Sequence, residues 1–133
     1  MSPTILVVDD STTMRLIVES TLQEAGWRVL SAADGSQALD MIGSWPVDLV
    51  VTDWHMAPLS GQDLAWALRG RPSTAGLPVI VLSTETPQEW AELAAELDLS
   101  AWLTKPLDPE RLLQAVRAAL DPSNNSDNEA GRP

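Results

Sequence analysis

Short apolar runs along the chain alternate with segments whose apolar residues recur at helical spacing. The runs are rich in β-branched residues and bounded by turn formers, which is typical of strands buried on both faces of a parallel sheet. Parallel strands need helical crossovers of one hand. The pattern therefore predicts an α/β fold, a doubly wound five-stranded parallel sheet with five helices. The predicted strands are residues 5–8, 27–32, 49–53, 78–82 and 101–104.

Apolar periodicity and capping residues predict the helices between these strands. The first helix takes its N-cap from the stretch 11–13 and is closed by Gly26. Residues 86–89 have the form of a capping box, with Pro87 at the first helical position, so a helix is expected over 86–97. Asp108 opens the last helix. The inward stripe of the first helix is Met14, Ile17, Val18, Thr21, Leu22 and Ala25, and the other helices are expected near 38–42, 62–69 and 109–120.

Composition and charge limit the kinds of partner. The chain has 133 residues, enough for one domain, and a formal net charge of −11 from 8 basic and 19 acidic residues. Such a charge repels nucleic acid and anionic membranes. No stretch approaches the ~20 apolar residues needed to span a bilayer, and there is no cysteine. We expect a cytoplasmic monomer with one domain over 1–120 and a disordered acidic tail over 121–133.

Polar residues follow four of the predicted strands at the point where each strand ends. They are Asp9 and Asp10, Asp53, Ser83, and Lys105, the only lysine of the chain. The carboxyl ends of parallel strands are where open α/β sheets place their ligands. Acids gathered at one edge repel each other unless a cation joins them. Mg²⁺ suits such a cluster because it takes oxygen ligands.

An aspartate beside such a metal can act as a nucleophile toward a phosphoryl group and form an acyl phosphate. Catalysis would then rest on positioning and charge neutralisation, with the metal, the Lys105 ammonium and the Ser83 hydroxyl each on one phosphoryl oxygen. The residues alone thus indicate phosphoryl chemistry at Asp53.

Residues 5–120 resemble the receiver domain of two-component response regulators, and the stretch 8–15 is most similar to single-domain chemotaxis regulators. The resemblance implies a flavodoxin-like sheet of strand order 2-1-3-4-5. It also implies a histidine kinase or phosphotransfer protein as phosphoryl donor. The downstream target would be a protein such as the flagellar motor switch.

The resemblance further implies a role for each site residue. Asp53 would be the phosphoacceptor, and a cis peptide bond would join Lys105 to Pro106. Ser83 and Trp102 would be the switch hydroxyl and the switch aromatic, and Lys105 would bind the phosphoryl group. The Mg²⁺ ligands would be Asp9, Asp10, Asp53 and the backbone carbonyl of His55.

The chain departs from the family pattern at three places. Ala57, followed by Pro58, stands where the family usually has proline. Trp102 is larger than the usual Tyr, Phe or His, and simple core filling is an equally weighted interpretation of it. His55 and Glu85 lie at positions that tune the phosphoryl lifetime in the family.

The sequence leaves three alternatives open. A receiver used as a phosphoryl sink or shuttle would keep the fold without a switched output. A haloacid-dehalogenase-type phosphatase also uses aspartate, Mg²⁺ and lysine, but Ser11 and Thr12 follow Asp9 and Asp10 where that family has an Asp-x-Asp pair. A flavin-binding module would need a glycine-rich loop after the first strand, which is absent from the sequence.

Overall fold

The structure, a computed structural model, describes residues 3–121. Five strands alternate with five helices, and a short 3-10 helix precedes the fourth helix. The elements are β1 (Thr4–Val8), α1 (Thr12–Glu24), β2 (Arg28–Ala32), α2 (Gly35–Ser44), β3 (Leu49–Asp53), α3 (Gly61–Arg69), β4 (Val79–Ser83), the 3-10 helix (Pro87–Trp90), α4 (Ala91–Glu96), β5 (Ala101–Thr104) and α5 (Pro109–Leu120).

The strands form one parallel sheet in the order β2-β1-β3-β4-β5. The predicted fold class and the strand order implied by the resemblance are both confirmed. The register brings the carboxyl ends of β1, β3, β4 and β5 to one edge of the sheet. The pairs nearest that edge are Val8 with Thr52, Asp53 with Leu82, and Ser83 with Thr104.

The sheet is covered on both faces, which is why its central strands are apolar up to the polar residues at their carboxyl ends. Every residue of β3 and β4 is buried. One apolar cluster joins one face of the sheet to α2 and α3 through Ala38, Leu64 and Leu68. The other joins the opposite face to α1 and α5 through residues that include Leu22 and Val116. The site edge is thus held by a core that packs from two sides.

The first helix follows the prediction except at two positions. Ser11 is its N-cap, and the Ser11 hydroxyl accepts a hydrogen bond from the Met14 amide. Gly26 beyond its end has φ of +102°, a conformation that favours glycine. Ile17 and Ala25 were both predicted to face inward, but Ile17 is 46% exposed and Ala25 also lies on the surface. Val18 and Leu22 alone are fully buried on this helix, so the buried stripe is narrower than the sequence pattern suggested.

The prediction of one capped helix over residues 86–97 is wrong in two respects. The segment divides into the 3-10 helix and α4, and the Thr86 side chain makes no capping hydrogen bond. The break falls at Trp90, whose backbone (φ −122°, ψ 16°) is not helical. The Trp90 indole N–H donates to the Glu85 carboxylate, and its ring lies against Trp54. These tertiary contacts outweigh the local helix signal.

No helix within residues 3–121 is both long enough and apolar enough to cross a membrane. The predicted disordered tail falls, from residue 122 onward, outside the described residues, so its disorder stays a prediction.

Candidate functional site

Three carboxylates meet at the carboxyl edge of the sheet. Asp9 and Asp10 follow β1, and Asp53 ends β3; one oxygen from each lies within 4.8 Å of the other two. Asp9 is 1% exposed and Asp53 is 8% exposed, whereas Asp10 is on the surface. The sequence-predicted acids are therefore brought together, with one side open to solvent.

The Lys105 ammonium lies 3.1 Å from Oδ1 of Asp53. Lys105 follows β5, and its amide donates to the Ser83 carbonyl at 2.7 Å, which fixes the start of the loop beside β4. Both side chains of the ion pair are largely shielded, at 21% and 11% exposure. Partial burial makes this pair stronger than a surface ion pair. The peptide bond from Lys105 to Pro106 is cis, as the resemblance implied, and so is the bond from Ala57 to Pro58.

Asp9 carries the strongest sign that this cluster could hold a cation. Its Oδ1 accepts a hydrogen bond from the Ser11 amide, but its Oδ2 is buried and accepts none within residues 3–121. Burial raises the pKa of Asp9; the Ser11 hydrogen bond opposes the rise, and the Asp53 charge adds to it. A buried carboxylate oxygen without a partner is costly. A hard divalent cation that takes oxygen ligands fits this donor set.

The backbone around Asp53 leaves no room for a side chain at position 61, the first residue of α3. Gly61 begins that helix, and a Cβ placed on it would overlap the Asp53 carbonyl oxygen. The Gly61 amide donates to the Trp54 carbonyl at 2.9 Å, and the Thr52 hydroxyl donates to the Asp53 carbonyl at 2.9 Å. The strand end that carries Asp53 is therefore fixed on several sides.

Ser83 ends β4 and is 1% exposed. Its hydroxyl accepts a hydrogen bond from the Glu85 amide at 3.0 Å. The hydroxyl hydrogen remains free to donate to an anion at the same edge. Ser83 thus lies beside the acids and Lys105 in the pairing of β3, β4 and β5, as the sequence predicted.

Glu85, which the resemblance placed at a position that tunes the phosphoryl lifetime, has contacts that the sequence did not predict. Its Oε1 lies 3.0 Å from Nε2 of His55 and accepts the Trp90 indole N–H at 2.6 Å. Hydrogen bonds from His55 and Trp90, in that order, lower the pKa of Glu85. The His55 ring therefore has a hydrogen-bond partner, which the sequence did not predict. The backbone carbonyl of His55 as a metal ligand stays a prediction.

Trp102, on β5, is partly buried and fixed by a polar contact as well as by packing. Its indole N–H donates to the Glu85 carbonyl at 2.9 Å. Its ring lies 4.9 Å from that of Trp54 and 6.4 Å from that of Trp90, measured between centroids. Trp54 follows Asp53 directly and is 1% exposed. These three tryptophans, the aromatic cluster, connect the acidic site to β5 and the 3-10 helix.

Comparison with known proteins agrees with this geometry. A family model for the response regulator receiver domain matches residues 5–117. The chain therefore belongs to the response regulator receiver family. It is 32% identical to the chemotaxis protein CheY of Pseudomonas aeruginosa over 121 residues, which cover 90% of this chain and 98% of that protein. It is 37% identical to CheY-3 of Vibrio cholerae over 113 residues, which cover 84% and 87% of the two chains.

A solved structure shows the same fold. The chemotaxis protein CheY4 of Vibrio cholerae superimposes with a TM-score of 0.85 at 33% identity, over 90% of this chain and 100% of that one. The chain also matches PhoB of Pseudomonas aeruginosa, a phosphate regulon transcriptional regulatory protein, at 31% identity, but spans only 56% of it. Chemotaxis relatives are thus matched over nearly their whole length, while the same domain also occurs inside a longer regulator.

Proposed function

We propose that this chain is a response regulator that accepts a phosphoryl group on Asp53 in a Mg²⁺-dependent reaction. The donor is a histidine kinase or a phosphotransfer protein, and the output is phosphorylation-dependent binding of a target protein in a chemotaxis pathway. The observation that carries the proposal is the Lys105 ammonium 3.1 Å from Asp53, beside three carboxylates within 4.8 Å of one another. The chemotaxis assignment rests on the relatives, and a flagellar motor switch is the target that the family resemblance implies.

The transfer step begins with attack by a carboxylate oxygen of Asp53 on the phosphorus of a phosphohistidine. The new O–P bond makes an acyl phosphate while the P–N bond breaks, and the released imidazole nitrogen takes up a proton. The Lys105 ammonium then lies where it can neutralise one phosphoryl oxygen, and the Ser83 hydroxyl can donate to another. The chain catalyses only its own phosphorylation and dephosphorylation.

Asp9, Asp10 and Asp53, with the His55 carbonyl, would hold the Mg²⁺ ion. The ion supplies positive charge to a phosphoryl oxygen and offsets the repulsion among the acids. The buried Oδ2 of Asp9, without a hydrogen-bond partner among the described residues, supports this assignment.

The test is incubation with acetyl phosphate and Mg²⁺, followed by intact-mass measurement. Wild-type protein should gain the mass of one phosphoryl group, and the gain should disappear with a chelator. Asp53→Asn should abolish it, because an amide is not a nucleophile of this kind. Asp40→Asn, which removes an exposed carboxylate on α2, is the matched control and should leave the gain unchanged.

A wild-type protein that takes up no phosphoryl group, either from acetyl phosphate or from a panel of histidine kinases, would refute the proposal. Uptake that persists in Asp53→Asn would place the acceptor elsewhere.

A second candidate is a phosphoryl sink or shuttle that binds its partner in either state. It is favoured by Trp102, which is held inward by the Glu85 carbonyl and by the ring of Trp54. A side chain fixed in this way leaves less scope for a rotation that follows phosphorylation. Beryllofluoride, a phosphoryl mimic, separates the two: a switched regulator changes its affinity for its partner when the mimic is added, and a sink does not.

A further inference from the structure

Four hydrogen bonds converge on Glu85, which lies two residues after Ser83. The Glu85 amide and carbonyl bond to Ser83 and Trp102, which the resemblance names as switch residues. The carboxylate is bonded on two further sides, by the His55 ring at 3.0 Å and by the Trp90 indole at 2.6 Å. The last contact has the short distance of a charge-assisted hydrogen bond.

The contact between His55 and Glu85 bridges two loops. His55 lies two residues after Asp53, at the end of β3, and Glu85 lies two residues beyond the end of β4. These strands are neighbours in the sheet. The bridge therefore joins the two loops that leave the sheet beside the proposed phosphoacceptor. We call the side chains of His55, Glu85 and Trp90 the clasp.

Trp90 is the fixed end of the clasp. The His55 and Glu85 side chains are 60% and 33% exposed, and an exposed pair of this kind contributes little by itself. The Trp90 ring, by contrast, is partly buried and packs edge-on against Trp54 at 5.4 Å. It also stacks on Trp102 at an interplanar angle of 22°. The indole N–H thus holds the Glu85 carboxylate from a part of the molecule that is itself anchored in the core.

We propose that Trp90 is a positioning residue that lengthens the life of the phosphoryl group on Asp53, by holding Glu85 and His55 across the two loops. The inference rests on the proposed function. Hydrolysis requires a water oxygen to attack phosphorus as the bond to the Asp53 oxygen breaks, which releases inorganic phosphate and restores the carboxylate. A closed clasp restricts the approach of water between the loops. Without the Trp90 hydrogen bond, the exposed pair opens more often.

The test compares the decay of the phosphorylated wild type with that of Trp90→Phe. The variant keeps an aromatic ring for the contacts with Trp54 and Trp102 but removes the N–H. Protein loaded with acetyl phosphate and Mg²⁺ is desalted into Mg²⁺ buffer, and the phosphorylated fraction is followed by intact mass. Decay should be on the order of three- to tenfold faster in Trp90→Phe, the range that corresponds to the loss of an ordinary hydrogen bond. Trp66→Phe, the same change at an exposed position on α3, should decay like wild type.

A double-mutant cycle decides whether Trp90 acts through Glu85. Glu85→Ala should itself accelerate decay, and Trp90→Phe should add nothing further in that background. The inference is overturned if either single variant loses its phosphoryl group at the wild-type rate. It is also overturned if Trp90→Phe accelerates decay as much in the Glu85→Ala protein as in wild type. Thermal unfolding of each variant verifies that the fold is retained. If wild type takes up no phosphoryl group, the proposed function fails as well; if it does and the variants decay normally, only the role of Trp90 is refuted.

Discussion

Gly61 shows how closely the backbone packs around the proposed phosphoacceptor. It begins α3 at a place where a Cβ would overlap the Asp53 carbonyl oxygen and lie 3.0 Å from the Trp54 Cα. Neither neighbour can move aside, because both belong to the backbone at the end of β3. The requirement for glycine is therefore steric, and it protects the position of the Asp53 carboxylate.

We predict that Gly61→Ala lowers the free energy of unfolding by about 2 kcal/mol or more, since overpacking of a rigid site costs ~1–3 kcal/mol. Phosphoryl uptake should slow as well, because the strand end must shift. Gly43→Ala is the control: it lies on α2 with nothing within 4 Å of the added Cβ, and it should leave stability unchanged or raise it by up to about 1 kcal/mol. Urea unfolding measures both. Equal stability of the two variants would contradict the steric argument.

Among single residues, the sequence predicted that the three acids, Ser83 and Lys105 would meet at one edge of the sheet. Each of them follows an apolar run, and parallel strands end at the same edge. The hydrogen bond from Trp90 to Glu85 was out of reach of that reasoning. It depends on the path of the chain between residues 85 and 90, which turns as a 3-10 helix. The steric role of Gly61 was hidden for the same reason, since nothing in the sequence shows which backbone a helix start approaches.

Arg69 links α3 to the segments that precede β4 and β5, at the opposite end of the sheet from the site. It ends α3, and its guanidinium donates to the Leu97 carbonyl at 2.7 Å and the Leu77 carbonyl at 2.8 Å. It also donates to the carbonyls of Ala75 and Asp98, at 3.1 and 3.3 Å. Burial lowers the pKa of Arg69, while the Asp98 charge opposes that shift. One side chain thus satisfies backbone acceptors in the segments that lead into β4 and β5.

We predict that Arg69→Met lowers the free energy of unfolding by about 2–3 kcal/mol, because it leaves partly buried carbonyls without donors. Arg69→Lys should fall between Met and wild type, since one ammonium cannot reproduce the planar set of donors. Arg71→Met removes an exposed arginine two residues away and should change stability by less than about 0.5 kcal/mol. Chemical denaturation gives all three values. Should Arg69→Met be as stable as Arg71→Met, the carbonyls must find other donors.

The strands were the most predictable elements, because burial on both faces leaves an unmistakable apolar run. The segment 86–97 was the least predictable. Its capping-box residues describe only local preferences, whereas the observed break at Trp90 follows from contacts with Glu85 and Trp54. Ile17 illustrates the same limit in a helix: periodicity gave the correct face, but the width of the buried stripe depends on what packs against it.

The charge of the whole molecule makes the gathering of three acids at one edge unfavourable. The chain carries a formal net charge of −11, and its single lysine is the one at the site. The fold keeps Asp9 buried with one oxygen that has no hydrogen-bond partner within residues 3–121. This arrangement lowers the stability of the metal-free protein and leaves a site to which a divalent cation can bind.

We therefore predict that Asp9→Asn is more stable than wild type without Mg²⁺ and that Mg²⁺ narrows or removes this difference. Without the ion, the variant should be more stable than wild type by about 1–2 kcal/mol. It removes a buried charge yet keeps an oxygen for the Ser11 amide, and its new amide group can donate to neighbouring carboxylates. With Mg²⁺, wild type should gain stability by mass action, about 1.4 kcal/mol at tenfold excess over Kd, while the variant gains much less because it has lost a charged ligand.

Calorimetry in chelator and in Mg²⁺ measures the stability of each protein under both conditions, with Asp40→Asn expected to follow wild type in each. If Asp9→Asn were less stable than wild type in chelator, the lone oxygen would carry no penalty and the metal-site argument would lose its physical basis; an equal Mg²⁺ response in the two proteins would exclude Asp9 as a ligand.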